Sequence, residues 1–146
     1  MNRNFVEMLR ALSGARAEFV IIGAHAVAAH GHPRSTRDID IWINPTAGNV
    51  ERVWQALAEF GAPLQQISQN DLLTPGTIFQ IGVEPIRIDI LTAVEPLTFD
   101  EAWANRAMIE VDGEPFPFLG RDDLIRSKRA AGRPHDLRDI EALEQF

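Results

Sequence analysis

The segment Arg34-Ser-Thr-Arg-Asp38-Ile-Asp40-Ile-Trp-Ile43 places two carboxylates at i and i+2. On an extended strand such residues point the same way, with Cα atoms about 6.5 Å apart. Their oxygens can converge on one cation, or on two cations about 3.5–4 Å apart. The alternation is strict: Asp38, Asp40 and Trp42 fall on one face, and Ile39, Ile41 and Ile43 on the other. That is the period of a strand. The isoleucines would anchor the opposite face in a core, which holds the carboxylates on the rigid element that a metal site needs. With no cation present the two charges repel, which costs stability or raises one pKa. An amphipathic edge strand with a solvated acidic face would show the same pattern, so Asp-x-Asp alone decides nothing.

A second strand-like run, Ile86-Arg-Ile-Asp89-Ile-Leu91, buries an aspartate among apolar neighbours. That is costly unless the carboxylate is paired or bound to a metal. Arg87, two residues away on the same face, is one partner. The other explanation is that this strand lies beside the first, making Asp89 a third carboxylate next to Asp38 and Asp40. Phe19-Val-Ile-Ile-Gly23-Ala24-His25 reads as a strand that turns straight into a helix. Backbone N–H groups at such a turn suit a phosphate. The positions Gly23, His25 and Ala28 do not make the G-x-G-x-x-G of a dinucleotide site. His25 and His30 are five apart on the expected helix and so do not share a face. Cap, core or acceptor-contact roles are favoured for the histidines over a zinc site.

The elements that would position these groups follow from periodicity. Helices are expected over residues 4–12, 24–30, 47–60, 99–105, 121–131 and 134–145, and strands over 18–22, 38–43, 77–83, 86–91, 107–111 and 116–119. Strands and helices mix without regular βαβ alternation. The expected fold class is therefore α+β, a mixed β-sheet packed with helices. A single domain over residues 1–146 is expected, closed by the C-terminal helices from about residue 121.

Composition narrows the function. There are no cysteines among 146 residues, which excludes a disulfide scaffold, a thiolate zinc or iron–sulfur site and a cysteine nucleophile. Apolar runs such as residues 19–22 are too short to span a membrane, and the N-terminus lacks the shape of a signal peptide. The cytoplasm is the expected compartment. A net charge of −7 argues against a protein coated in nucleic acid. Thirteen of the fourteen basic residues are arginine; the lone lysine, Lys128, lies in a locally basic stretch over residues 121–138.

Taken together, the apolar strand ending in Gly23-Ala24, the thirteen residues that follow, Asp38-Ile-Asp40-Ile and the later Asp89 resemble the nucleotidyltransferase superfamily that includes DNA polymerase beta. The chain is most similar to small stand-alone bacterial nucleotidyltransferases, including relatives of AbiEii-type toxins. These often carry His-Gly and Arg-x-Thr before the acid pair, here His30-Gly31 and Arg34-Ser-Thr36. Their C-terminal helices have the form Asp-Leu-Ile-x-x-Lys, a gap, then Arg-x-x-Asp, here Asp123 to Lys128, then Arg133 and Asp136. Ala24 departs from the family's glycine or serine and removes a hydroxyl that could bond a phosphate.

The resemblance implies an enzyme that transfers a nucleoside monophosphate from an NTP such as ATP to an acceptor hydroxyl. Mg²⁺, or Mn²⁺ in its place, would be held by Asp38, Asp40 and Asp89, with Asp89 also a candidate base. Gly23 and Ala24 would cradle phosphate, and Arg34 and Thr36 would contact it or order the preceding loop. Lys128 and Arg133 would neutralise pyrophosphate, with Asp136 orienting them; the alternative for these three is a structural salt-bridge network near the surface. The acceptor is left open among an RNA end such as that of tRNA, a protein and a small molecule. A partner protein or homodimer would complete so short a chain. The alternative is a catalytically idle nucleotide-binding or toxin–antitoxin module with the same fold.

Overall fold

The computed structural model describes residues 1–31 and 38–145, so Arg34 and Thr36 lie outside the described residues. In chain order the elements are α1 (Arg3–Gly14), β1 (Phe19–Ile22), α2 (Gly23–Ala29), β2 (Ile39–Ile43), α3 (Ala47–Phe60), α4 (Gln69–Leu73), β3 (Ile78–Ile81), β4 (Ile88–Leu91), α5 (Phe99–Ala104), β5 (Ala107–Val111), β6 (Glu114–Phe118), α6 (Arg121–Ala131) and α7 (Pro134–Glu144). The strands form one mixed sheet in the order β3-β4-β2-β1-β6-β5. β2 runs antiparallel to β1 and parallel to β4.

β2 is therefore a central strand, which rules out the amphipathic edge strand. Ile39, Ile41 and Ile43 are fully buried. Trp42, on the aspartate face, is also buried and meets Phe99 edge-to-face at 5.3 Å. Only the N-terminal half of that face is left for polar chemistry. The core is completed by α1, through Phe5, Met8, Leu9 and Leu12, and by α3, through Val50, Val53 and Leu57. Each such side chain contributes about 1.5–3 kcal/mol on burial.

Asn49 on α3 fixes where β1 and β2 begin and end. Its Oδ1 accepts from Glu18 N–H at 2.6 Å, and its Nδ2 donates to Glu18 O at 3.0 Å and Asn44 O at 2.9 Å. Asn49 is 5% exposed, so those bonds are made away from water.

α4 was not expected from periodicity, because residues 64–73 carry no apolar repeat. A local cap makes it: the Ser68 hydroxyl accepts from Asp71 N–H at 3.2 Å, and the Asp71 carboxylate accepts from Ser68 N–H at 2.9 Å. At the C-terminus, Gly132 adopts φ +65° and its N–H donates to Lys128 O at 2.9 Å, ending α6. Pro134 then opens α7. The two helices fold back on each other, and Arg121 Nε donates to Leu143 O at 2.8 Å to close the far end. No described helix is long and apolar enough to cross a membrane.

Candidate active site

The parallel pairing of β2 with β4 sets Asp40 opposite Asp89. Neighbouring strands lie about 4.8 Å apart, so two carboxylates on one face meet directly. The antiparallel pairing of β1 with β2 sets Ile22 opposite Asp40, which brings Gly23 onto the Asp40 side chain. Gly23 has φ +69°, and a Cβ there would run into Asp40 Oδ2. Glycine is thus required twice at this position, for its backbone conformation and for space. The strand-to-helix turn thus lies close against the Asp40 carboxylate, which Asp89 faces from β4.

The Asp40 carboxyl responds electrostatically. Its pKa rises from 3.8 to about 6. Burial is the largest cause; the charge of Asp89, a hydrogen bond shared with Asp89 and the charge of Asp38 add to it, while Arg87 opposes it.

For Asp89 the strand pairing and the arginine partner are both present, while Arg87 stands between it and Asp38. Asp89 joins Asp40, and it also pairs with Arg87, whose Nε donates to Asp89 Oδ1 at 2.8 Å and whose NH2 donates to Oδ2 at 3.2 Å. The same arginine gathers the other acids. Its backbone N–H donates to Asp38 Oδ1 at 3.0 Å, its NH2 lies 3.4 Å from Asp38 Oδ2, and its NH1 donates to Glu84 Oε1 at 3.1 Å. Among the described residues, no three carboxylate or imidazole side chains are grouped as they stand to hold a metal ion. A guanidinium lies between Asp38 and Asp89.

Asp40, Asp89 and Gly23 line a cleft of about 360 Å³. Its other wall comes from the C-terminal helix pair and carries Lys128, Arg133 and Asp136. Lys128 Nζ donates to Asp139 Oδ2 at 2.9 Å and lies 3.6 Å from Asp136 Oδ1. Arg133 Nε donates to Asp136 Oδ2 at 2.6 Å, and the Arg133 N–H donates to the same oxygen at 3.2 Å. Asp136 is 1% exposed. Burial alone would push its carboxyl up, but the hydrogen bonds from Arg133 and the charges of Arg133 and Lys128 outweigh burial and hold it below the usual range.

The structure thus brings Gly23, Asp40, Asp89, Lys128, Arg133 and Asp136 to one cleft. Asp38 turns to Arg87, and Ala24 follows Gly23 into α2. Of the described histidines, His30 Nε2 hydrogen-bonds with Leu119 O at 2.8 Å, His25 packs edge-to-face on Phe5 at 5.6 Å, and His135 Nε2 lies 3.5 Å from Asp136 Oδ1. Sequence reasoning missed Asp139, although it lies one helical turn after Asp136 and so had a readable signal. It also missed Gln80, which faces Asp89 across β3 and β4, and Glu95 and Ser127, which line the cleft. Gln80 depends on sheet pairing and Glu95 on a loop path, while Ser127 sits on α6 beside Lys128.

The family described as "Nucleotidyl transferase of unknown function (DUF2204)" matches residues 1–146. No curated protein matches the chain. Among solved structures, the chain is similar to the lincosamide antibiotic adenylyltransferase LnuA in its lincomycin-bound form, with 15% identity, a TM-score of 0.63, and 99% of this chain and 96% of that one covered. A nucleotidyltransferase-type protein of Thermotoga maritima, TM1012, gives 16% identity and a TM-score of 0.61 over 97% and 93% of the two chains. ANT(2″)-Ia in complex with adenylyl-2″-tobramycin gives 14% identity and a TM-score of 0.60 over 95% and 84%. At these identities the likeness is one of fold.

Proposed function

The chain belongs to this nucleotidyl transferase family of unknown function, and from that premise we propose that it adenylylates a hydroxyl of a small molecule, using ATP. The carrying observation is the cleft that sets Asp40 and Asp89 opposite Lys128 and Arg133. Acids on one wall suit a cation, and bases on the other suit phosphate. The choice of ATP and of a small acceptor draws on LnuA and ANT(2″)-Ia, whose names record an adenylyltransferase, lincomycin and adenylyl-tobramycin. The cleft volume falls in the range of small-molecule sites.

Mg²⁺, with Mn²⁺ as substitute, is the proposed cofactor. Asp40 and Asp89 fit it: both offer hard oxygen donors, and Asp40 carries a charge that burial and Asp89 make unfavourable. Asp38 fits less directly, because Arg87 engages both of its oxygens. When bound, such a cation neutralises phosphate charge and favours attack at the α-phosphorus.

The chain's own groups do the rest. Lys128 and Arg133 receive the charge of the leaving pyrophosphate, and Asp136 and Asp139 keep them aimed into the cleft. Gly23 and Ala24 offer backbone N–H groups at the turn above Asp40. In the transfer, the acceptor oxygen bonds to the α-phosphorus, the bond from phosphorus to the bridging oxygen breaks, and pyrophosphate leaves. For Asp89 to act as base, Arg87 must first release it, since both of its oxygens accept from that guanidinium.

The test is transfer of label from α-labelled ATP, then from the other NTPs, with Mg²⁺ or Mn²⁺ and three acceptor sets: hydroxylated small molecules, tRNA and protein. We expect transfer to a small molecule, reduced at least about 100-fold by Asp40→Asn and Asp89→Asn. Label on tRNA or protein would move the acceptor to that class. No transfer under any combination would refute the activity. Arg87, seated among Asp38, Asp89 and Glu84, favours one second reading: an idle nucleotide-binding or toxin–antitoxin module. In that case nucleotide would raise the melting temperature equally in wild type and Asp89→Asn, without turnover.

A further inference from the structure

We propose that Arg87 is a lock on the cation site: its guanidinium occupies the space between Asp38 and Asp89, and a three-carboxylate site forms only when that side chain swings out. The inference rests on the cation reading of the cleft given above and names how that site is controlled.

The contacts are those of an internal substitute for a cation. Arg87 Nε and NH2 donate to the two oxygens of Asp89 at 2.8 and 3.2 Å, and NH2 also lies 3.4 Å from Asp38 Oδ2. A planar guanidinium can fork across carboxylate oxygens in this way, and an ammonium cannot. Asp40 faces Asp89 across the pairing of β2 with β4, so one guanidinium stands beside three carboxylates. In this arrangement no three acids among the described residues are grouped to hold a metal. Withdrawal of the guanidinium frees three oxygens together: both of Asp89, and Oδ2 of Asp38.

The backbone is built to stay while the side chain moves. The Arg87 N–H donates to Asp38 Oδ1 at 3.0 Å, and Arg87 O accepts from Ile39 N–H at 3.1 Å. Asp38 therefore keeps its aim without the guanidinium, and release needs only side-chain rotation. An exit is already marked. Arg87 NH1 donates to Glu84 Oε1 at 3.1 Å, and the Glu84 side chain is 59% exposed against 10% for Asp89. Arg87 can keep Glu84 as its partner while it turns out to solvent.

A cation then binds only the fraction of molecules in which Arg87 has withdrawn, and its apparent affinity falls by that fraction. Arg87→Lys separates this lock from simple charge, because lysine keeps the positive charge and loses the fork. With Mn²⁺ alone as the probe, followed by electron paramagnetic resonance, Arg87→Lys should bind at least about 10-fold more tightly than wild type. In wild type, NMR during a Mg²⁺ titration should show the Arg87 side-chain Nε–H signal shift and exchange faster with water, while the Arg87 and Ile39 backbone amides stay protected. Neither readout uses turnover. Mn²⁺ binding no tighter in Arg87→Lys than in wild type overturns the lock and leaves the cation reading standing, and so does Mg²⁺ binding that leaves the Nε–H signal in place. An absence of Mn²⁺ binding in both proteins overturns the two together.

Discussion

Replacing Asp40 by asparagine should make the protein more stable while disabling the site. The pKa of Asp40 is about 6 in the fold against 3.8 for a free carboxyl. About two units at 1.36 kcal/mol each set an upper limit of about 3 kcal/mol. The folded-state pKa is raised, so between pH 3.8 and about 6 the folded chain holds a proton that the unfolded chain has released. Stability therefore falls as pH rises through that window, and the cost is full above it. Asparagine is close to isosteric, cannot ionise, and can donate its amide to Asp89. In EDTA at pH 8, Asp40→Asn should be about 1–3 kcal/mol more stable than wild type, or roughly 3–10 °C in melting temperature. At pH 5 wild-type Asp40 is largely protonated, and the gap should shrink to roughly half. The assay is urea and thermal unfolding of both proteins at pH 5, 6, 7 and 8; the difference cancels titrating groups that do not interact with Asp40. A variant less stable than wild type at pH 8, or a gap that does not change with pH, refutes the reasoning.

Three further outcomes follow. Gly23→Ala should lose about 1–3 kcal/mol in chemical denaturation, from the positive φ and the displaced Asp40, and should lose nucleotide-dependent stabilisation with it. Arg87→Gln removes the charge that holds the Asp40 pKa down, so that pKa should move further up when followed by NMR; in EDTA the variant should melt lower than wild type, and Mg²⁺ should raise its melting temperature by more. Asn49→Ala should cost about 2–4 kcal/mol in urea unfolding, since Glu18 N–H, Glu18 O and Asn44 O lose a buried partner, and it should leave the pKa of Asp40 unchanged.

Much of the site was legible because strand period is a local property. Alternation alone placed Asp38 and Asp40 on one face, and Asp89 among isoleucines announced a buried charge with a partner. The helix hairpin was legible from Gly132 and Pro134, which stop one helix and start the next. What could not be read was whatever pairing decides. The parallel register of β2 and β4 that sets Asp40 opposite Asp89 is a long-range outcome, and sequence could offer it only as a condition; the antiparallel register of β3 and β4 sets Gln80 opposite Asp89 as well. The double engagement of Asp89 was unreadable for the same reason: one carboxylate has two oxygens and two sides, so an arginine on its own strand and an acid on the next are not exclusive. The conflict between Gly23 and Asp40 needed coordinates, although the glycine itself was plain. α4 rests on a single cap, which periodicity does not register.

The geometry around Asp40 narrows how its charge can be relieved. The isoleucines on the other face of β2 fix the strand in the core, and Gly23, where β1 turns into α2, lies close against the carboxylate that Asp89 faces from β4. Three routes remain: a proton, the Arg87 guanidinium or a cation from solution. With a pKa of about 6, the proton leaves before neutral pH. Arg87 is committed to Asp38, Asp89 and Glu84, and its charge only partly offsets the rise. At pH 7 the cleft therefore carries negative charge that the protein does not neutralise. The rigidity that makes the site costly is what aims its oxygens, so a change that relieves Asp40 by letting it move should gain stability and lose cation affinity together.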